Sequence, residues 1–211
     1  MTLKENTDLY FIKNNEIYIR VWSFQPIEVY QITQKLGSFT CNQNKSTYLQ
    51  KTNFKLAYDW LVKKMKKLIG NPNPHIQYPI WAWYLVDSEN TMPTANHFLF
   101  YDPQSDPKVV CLELEISLNQ VVLTDFNAWH NVLNHLYYSA IEDDDEWEQE
   151  MDWIDMQNFN LRNYLIKRSW EKIFFYFDEN YLREHTYLQA TFWELKRSYI
   201  KNVIFYDKDR A

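Results

Sequence analysis

Residues 16–24 alternate cleanly. Ile17, Ile19 and Val21 fall on one side and Tyr18, Arg20 and Trp22 on the other, the period-two pattern of a strand with one face in a core. Pro26 then suits the first turn of a helix that runs to Gly37, with Val29, Ile32, Thr33 and Leu36 at helical spacing. The clearest helical stripe is 54–69, where Phe54, Tyr58, Leu61, Val62, Met65, Leu68 and Ile69 recur at three- and four-residue intervals. Lys63, Lys64, Lys66 and Lys67 fall mostly outside that stripe, and basic residues near the C-terminus suit the helix dipole before Gly70-Asn71-Pro72 stops it.

Residues 80–86 read as a strand, 87–108 as a long loop bracketing a short strand at 97–101, and 109–116 as a strand with Leu112, Leu114 and Ile116 on one face. A short strand at 121–124 leads into Asp125. That residue is a natural N-cap for a helix carrying Phe126, Trp129, Leu133, Leu136 and Tyr137. Helices are expected over 142–155 and 160–176, then a strand pair near 187–195 and 201–206. No repeat or glycine- or serine-rich linker interrupts the order, so the pattern predicts a single α+β domain over 1–211, with a mainly antiparallel sheet, flanking helices and a flexible stretch at 1–15.

Composition narrows the chemistry. The chain has only Gly37 and Gly70, too few for a dinucleotide fingerprint or a phosphate-cradling loop, and none to spare for a nucleophile elbow. No apolar run reaches a membrane span and no secretory h-region is visible, so a cytoplasmic protein with no membrane partner is expected. Cys41 and Cys111 form no CxxC pair and are read as reduced thiols. The histidines show no metal-ligand spacing: His130 and His135 are five apart, about 500° of helical rotation, and no metal site is predicted. Glu113 and Glu115 share one strand face, which reads as solvated.

Net charge is −6, from 22 basic and 28 acidic residues. Nine of the acids stand between Glu142 and Asp155 with no basic residue among them. Trp147, Met151 and Ile154 are spaced i, i+4 and i+7, so this segment reads as an amphipathic helix with an acidic outer face, able to dock a basic protein partner. The rest of the chain holds 22 basic and 19 acidic residues, and contact with nucleic acid stays open.

Aromatic residues make up 18% of the chain. Trp81 and Trp83 alternate on one strand face, most simply as core and alternatively as a wall for a planar ligand. The strand Tyr187 to Trp193 splits by parity. Leu188, Ala190 and Phe192 go to one side, while Gln189, Thr191 and Trp193 put an amide, a hydroxyl and an indole on a second line that is expected to be accessible.

The stretches Trp22-Ser-Phe-Gln-Pro26, Ala57-Tyr-Asp-Trp-Leu61, Tyr78-Pro-Ile-Trp-Ala-Trp-Tyr84, Leu112-Glu-Leu-Glu-Ile116 and Asp125-Phe-Asn-Ala-Trp-His-Asn-Val-Leu-Asn134 together resemble an uncharacterised bacterial family, a domain of unknown function numbered 3841. That resemblance spans about residues 18–206 and implies no activity. A weaker one bears on mechanism. The opening strand ending in Trp22-Ser23, with its helix and Gly37 turn, and the closing Gln189-Ala-Thr-Phe192 are similar to the first and last strands of DarT-like ADP-ribosyltransferases.

This second resemblance implies a split sheet and NAD as cofactor. Gln189 and Thr191 would position a ribose, Arg20 would contact a phosphate beside Trp22, Ser23 would bind the nicotinamide amide, and Trp81 or Trp83 would form a stacking wall, with Trp193 on the line of Gln189. The chain departs from the pattern where it matters most. Thr191 stands at the place of the catalytic glutamate, Glu194 falls on the opposite face, and the opening strand carries no histidine. A hydroxyl cannot stabilise developing positive charge as a carboxylate does, so the resemblance implies the fold with altered or lost transfer chemistry. The competing expectation is a non-catalytic interaction protein that docks through its acidic helix.

Overall fold

The computed structural model describes residues 8–46, 49, 52–93, 108–141, 143–176 and 186–207. Its strands are β1 (Phe11–Lys13), β2 (Glu16–Pro26), β3 (Ser38–Phe39), β4 (Ile80–Leu85), β5 (Lys108–Ser117), β6 (Val122–Asp125), β7 (Phe174–Phe175), β8 (Leu188–Phe192), β9 (Leu195–Lys196) and β10 (Ile200–Asp207). Its helices are α1 (Ile27–Leu36), α2 (Thr52–Leu68), α3 (Phe126–Leu133), α4 (Asp144–Asp155) and α5 (Phe159–Ser169). The main sheet runs β10-β5-β2-β4-β8-β6-β7, with β1 paired to the start of β2, while β3 and β9 form a separate two-stranded sheet. Each pairing is antiparallel, so the α+β class with a mainly antiparallel sheet and flanking helices holds. Among the described residues no helix is long and apolar enough to cross a membrane.

Strand parity decides both cores. Ile19 and Val21 of β2, Leu112, Leu114 and Ile116 of β5, Ala82 of β4 and Leu188, Ala190 and Phe192 of β8 share one face, packed with Val29 of α1 and with Leu9, Tyr10 and Leu195. On the opposite face, Val122 and Phe174 meet Ala57, Leu61 and Met65 of α2, Ala128, Trp129 and Val132 of α3, and Trp170 and Ile173. Helix α1 thus covers the first face over β2 and β5, and α2 and α3 cover the opposite face over the β6 and β7 end.

One weak seam divides it. β2 and β5 pair along nine residues, but β2 and β4 pair only at Trp22 and Trp83. Ser23 reinforces this seam: its buried hydroxyl donates to the Trp81 carbonyl at 2.7 Å and accepts from the Gln25 amide at 2.8 Å.

Several boundaries differ from the sequence expectation. Helix 160–176 stops at Ser169 and tightens into a 3-10 turn at 170–173, because Trp170 Nε1 donates to the Leu136 carbonyl at 2.8 Å and β6 recruits Phe174 and Phe175 as an edge strand. The helix capped by Asp125 ends at Leu133. The Asn134 amide donates to the His130 carbonyl and His135 takes φ 57°, leaving Leu136 exposed. In α1 only Val29 and Thr33 are buried; Ile32 and Leu36 point to solvent.

The last two long strands do not pair with each other. β8 is buried along Leu188, Ala190, Thr191 and Phe192 and sits between β4 and β6, while β10 forms the far edge beside β5. The short strand expected at 97–101 lies outside the described residues.

A polar row across the sheet as the candidate functional site

Register puts one residue from each of seven strands into a single line on one face of the sheet, the face that α2 and α3 cover at its β6 and β7 end. Asn202 pairs with Glu113, Glu113 with Trp22, Trp22 with Trp83, Trp83 with Gln189, Gln189 with Thr124, and Thr124 with Phe174. Parity requires these side chains to share a face, because each position is a direct cross-strand partner of the next. The row therefore carries an amide, a carboxylate, two indoles, a second amide, a hydroxyl and a ring. It crosses the weak seam at the two indoles, both of which are buried. Phe126, at the first position of α3, packs on Trp83 with ring centroids 5.0 Å apart, and His130 stands edge-on to Phe126 at 4.6 Å.

Among the described residues two buried polar atoms on this face, Thr124 Oγ1 and Trp81 Nε1, have no hydrogen-bond partner. A buried donor left unpaired costs about 1–3 kcal/mol, so such groups call for an explanation. The Gln189 side chain, half-buried between Trp83 and Thr124, also makes no hydrogen bond among the described residues.

The residues expected at a site fare unequally. Trp22, Trp83 and Gln189 come together in the row. Arg20 is one pleat away on the same face, but its guanidinium is held by Glu113 (Nε to Oε1, 3.0 Å) and Glu115 (Nη2 to Oε1, 3.6 Å), with Lys201 also 3.3 Å from Glu115. Any phosphate reaching Arg20 would have to displace two carboxylates.

Ser23 lies on the other face and spends its hydroxyl on the seam. Thr191 is not on an accessible line: it is fully buried beneath the helices and donates to the Val122 carbonyl at 3.3 Å. Trp81 belongs to the second core, tilted against Trp129 at 5.2 Å and edge-on to Tyr58 at 6.0 Å. Trp193 has left β8 and donates from Nε1 to the Gly70 carbonyl at 3.1 Å, tying down the end of α2. The accessible line thus reduces to Gln189, because the second core, built from α2 and α3, covers the face of β8 that carries Thr191.

Glu113, Thr124, Asn202 and Phe174 complete the row without having been expected there. Glu113 and Glu115 did share a face in sequence, and Arg20 shares parity with Trp22, so a charge cluster beside the opening strand was legible; its alignment with Gln189 depends on register across the seam. Cys111, next to Glu113 on the same face, is buried. That burial, and secondarily the Glu113 charge, push its thiol up to about 12, which removes it as a nucleophile. Among the described residues no group of three or more histidine, cysteine or acidic side chains is placed to hold a metal ion.

Chemically, the row sets an amide and a hydroxyl beside two buried indoles. Its carboxylate is ion-paired with Arg20. No curated protein and no solved structure matched the chain. The family model described as a domain of unknown function (DUF3841) matches residues 20–201, nearly the full length, and the chain belongs to that family.

Proposed function

We propose that this chain is a nucleotide-binding domain of ADP-ribosyltransferase-like architecture, which holds NAD or a related dinucleotide along the sheet row with transfer chemistry altered or lost. The observation that carries this reading is the unpartnered Gln189 amide, lined up between Trp83 and the orphaned Thr124 hydroxyl. Orphan donors and acceptors beside aromatic faces fit a ligand with a flat base and ribose hydroxyls. Gln189 and Thr124 would orient a ribose, and Trp22 and Trp83 would exclude water from it. Bound NAD would supply an activated bond between nicotinamide and ribose. At position 191 a buried threonine, already bonded to Val122, stands where the resemblance implies the catalytic carboxylate, so binding is the part of the chemistry this chain retains.

Thermal unfolding with and without NAD tests the reading. A ligand at about 100 times its Kd stabilises by about 2.7 kcal/mol, and Gln189→Ala should abolish that gain while leaving the unliganded Tm within a degree or two. Absence of any response to NAD, ADP-ribose or adenine nucleotides in the wild type would overturn it. A second reading then leads, in which the chain is an interaction protein. It is favoured by α4, where Trp147 and Trp153 stand exposed among acidic side chains that a basic partner could neutralise.

A further inference from the structure

A different part of the molecule gathers positive charge. The C-terminal halves of α2 and α5, about a hundred residues apart in sequence, flank a surface cleft of about 700 Å³. Among the described residues six cations line it: Lys63, Lys64, Lys66 and Lys67 from α2, and Lys167 and Arg168 from α5. The one acid among the described residues that line it, Glu171, is ion-paired with Lys64. Lys66, Lys67 and Lys167 have no ion-pair or hydrogen-bond partner among the described residues.

The helix dipole accounts for a basic residue or two in each last turn. It does not account for two such turns converging on one concavity in a chain whose net charge is −6. Unneutralised like charges repel, so the arrangement costs stability unless an anion offsets it.

The walls narrow the class of anion. Trp60 forms a fixed floor, stacked on Phe174 and edge-on to Trp170, both at 5.4 Å. Tyr164 stands at the rim, 57% exposed. Five of the six cations are lysines, which act as point charges on mobile stems and suit a chain of phosphates better than a single planar carboxylate. A cleft of this volume accommodates a small ligand of a few hundred daltons, and an exposed phenol ring can stack a base. We propose that this cleft binds a nucleoside polyphosphate, with the phosphate chain on Lys63, Lys66, Lys67 and Lys167 and the base on Tyr164. The proposal is independent of the sheet row, to which none of the residues lining the cleft belongs.

Calorimetric titration of the full chain with ATP, inorganic tripolyphosphate and a short single-stranded oligonucleotide, at low and moderate salt, tests it. ATP should bind more tightly than tripolyphosphate, and both should weaken as salt rises. Lys66→Glu with Lys167→Glu should weaken both by about tenfold or more, and Tyr164→Ala should weaken ATP while leaving tripolyphosphate unchanged. The neutral pair Lys66→Gln and Lys167→Gln, with unchanged circular dichroism, separates charge loss from misfolding.

No heat with either phosphate ligand, or ATP affinity unmoved by the lysine variants, overturns the proposal. Oligonucleotide binding far tighter than ATP at the same lysines overturns it in favour of a nucleic-acid surface. Salt-sensitive self-association that the lysine variants abolish, without phosphate binding, overturns it in favour of docking by the acidic α4 of a second copy.

Discussion

Tyr137 shows how much one side chain's neighbourhood can change. Sequence periodicity places it on a helix face, but the helix has ended, and its hydroxyl donates to Glu150 of α4 at 2.9 Å. Burial, aided by that carboxylate, pushes the phenol up to about 12. A pKa raised in the folded state favours the protonated form there. The contribution to stability is complete below the unfolded value near 10 and disappears as pH climbs toward about 12. Urea unfolding of Tyr137→Phe should therefore show a shallower fall in stability between about pH 10 and 12 than the wild type. An identical pH slope would mean that Glu150 and Tyr137 are not coupled in solution. The same residue reveals what sequence could not supply, since the Tyr137–Glu150 contact joins α4 to a loop that periodicity assigned to a helix.

Among the elements, the boundaries read correctly from sequence are those set by local chemistry. Asp125 caps α3 by accepting from the Ala128 amide at 2.7 Å, and Asp143 caps α4 by accepting from Glu146 at 3.0 Å. Gly37 ends α1 at φ 88°, where an L side chain would be strained. Asp125→Ala should cost about 1 kcal/mol and lower Tm by about 2–4 °C, read by differential scanning calorimetry. A drop within error would show that the sheet, not the cap, holds the α3 N-terminus. The boundaries misread are those set from a distance. Ser169 accepts from the Tyr138 amide at 2.9 Å and Trp170 reaches Leu136, so α5 ends where tertiary contacts draw it in. In α4 the expected stripe of Trp147, Met151 and Ile154 reduces to Ile154 as its buried residue, because the helix touches the body along one narrow edge.

On the scale of the whole molecule, the seam between β2 and β4 is the feature from which site and stability both follow. A single paired position, Trp22 with Trp83, joins the β10-β5-β2 half to the β4-β8-β6-β7 half, and Ser23 adds the hydrogen bond that the missing ladder lacks. Ser23→Ala leaves the buried Trp81 carbonyl without this donor and should destabilise by about 1–3 kcal/mol in urea titration. A loss below about 0.5 kcal/mol would mean that the paired indoles carry the seam unaided.

What the sequence determined by itself was local: strand parity, caps, the acidic run, and hence the α+β class and the buried Ile19, Val21, Leu112 and Leu114. These depend on neighbours within a few positions. Tertiary structure alone decided strand order and register, and with them everything that joins distant residues. Register aligned Glu113, Trp22, Trp83, Gln189 and Thr124 in one row, and helix packing buried Thr191 instead of exposing it. The placement of the C-terminal ends of α2 and α5 around one concavity turned two ordinary basic helix ends into a cleft. Pairing partners far apart along a chain are selected by the packing of the whole sheet, which no local window of sequence contains.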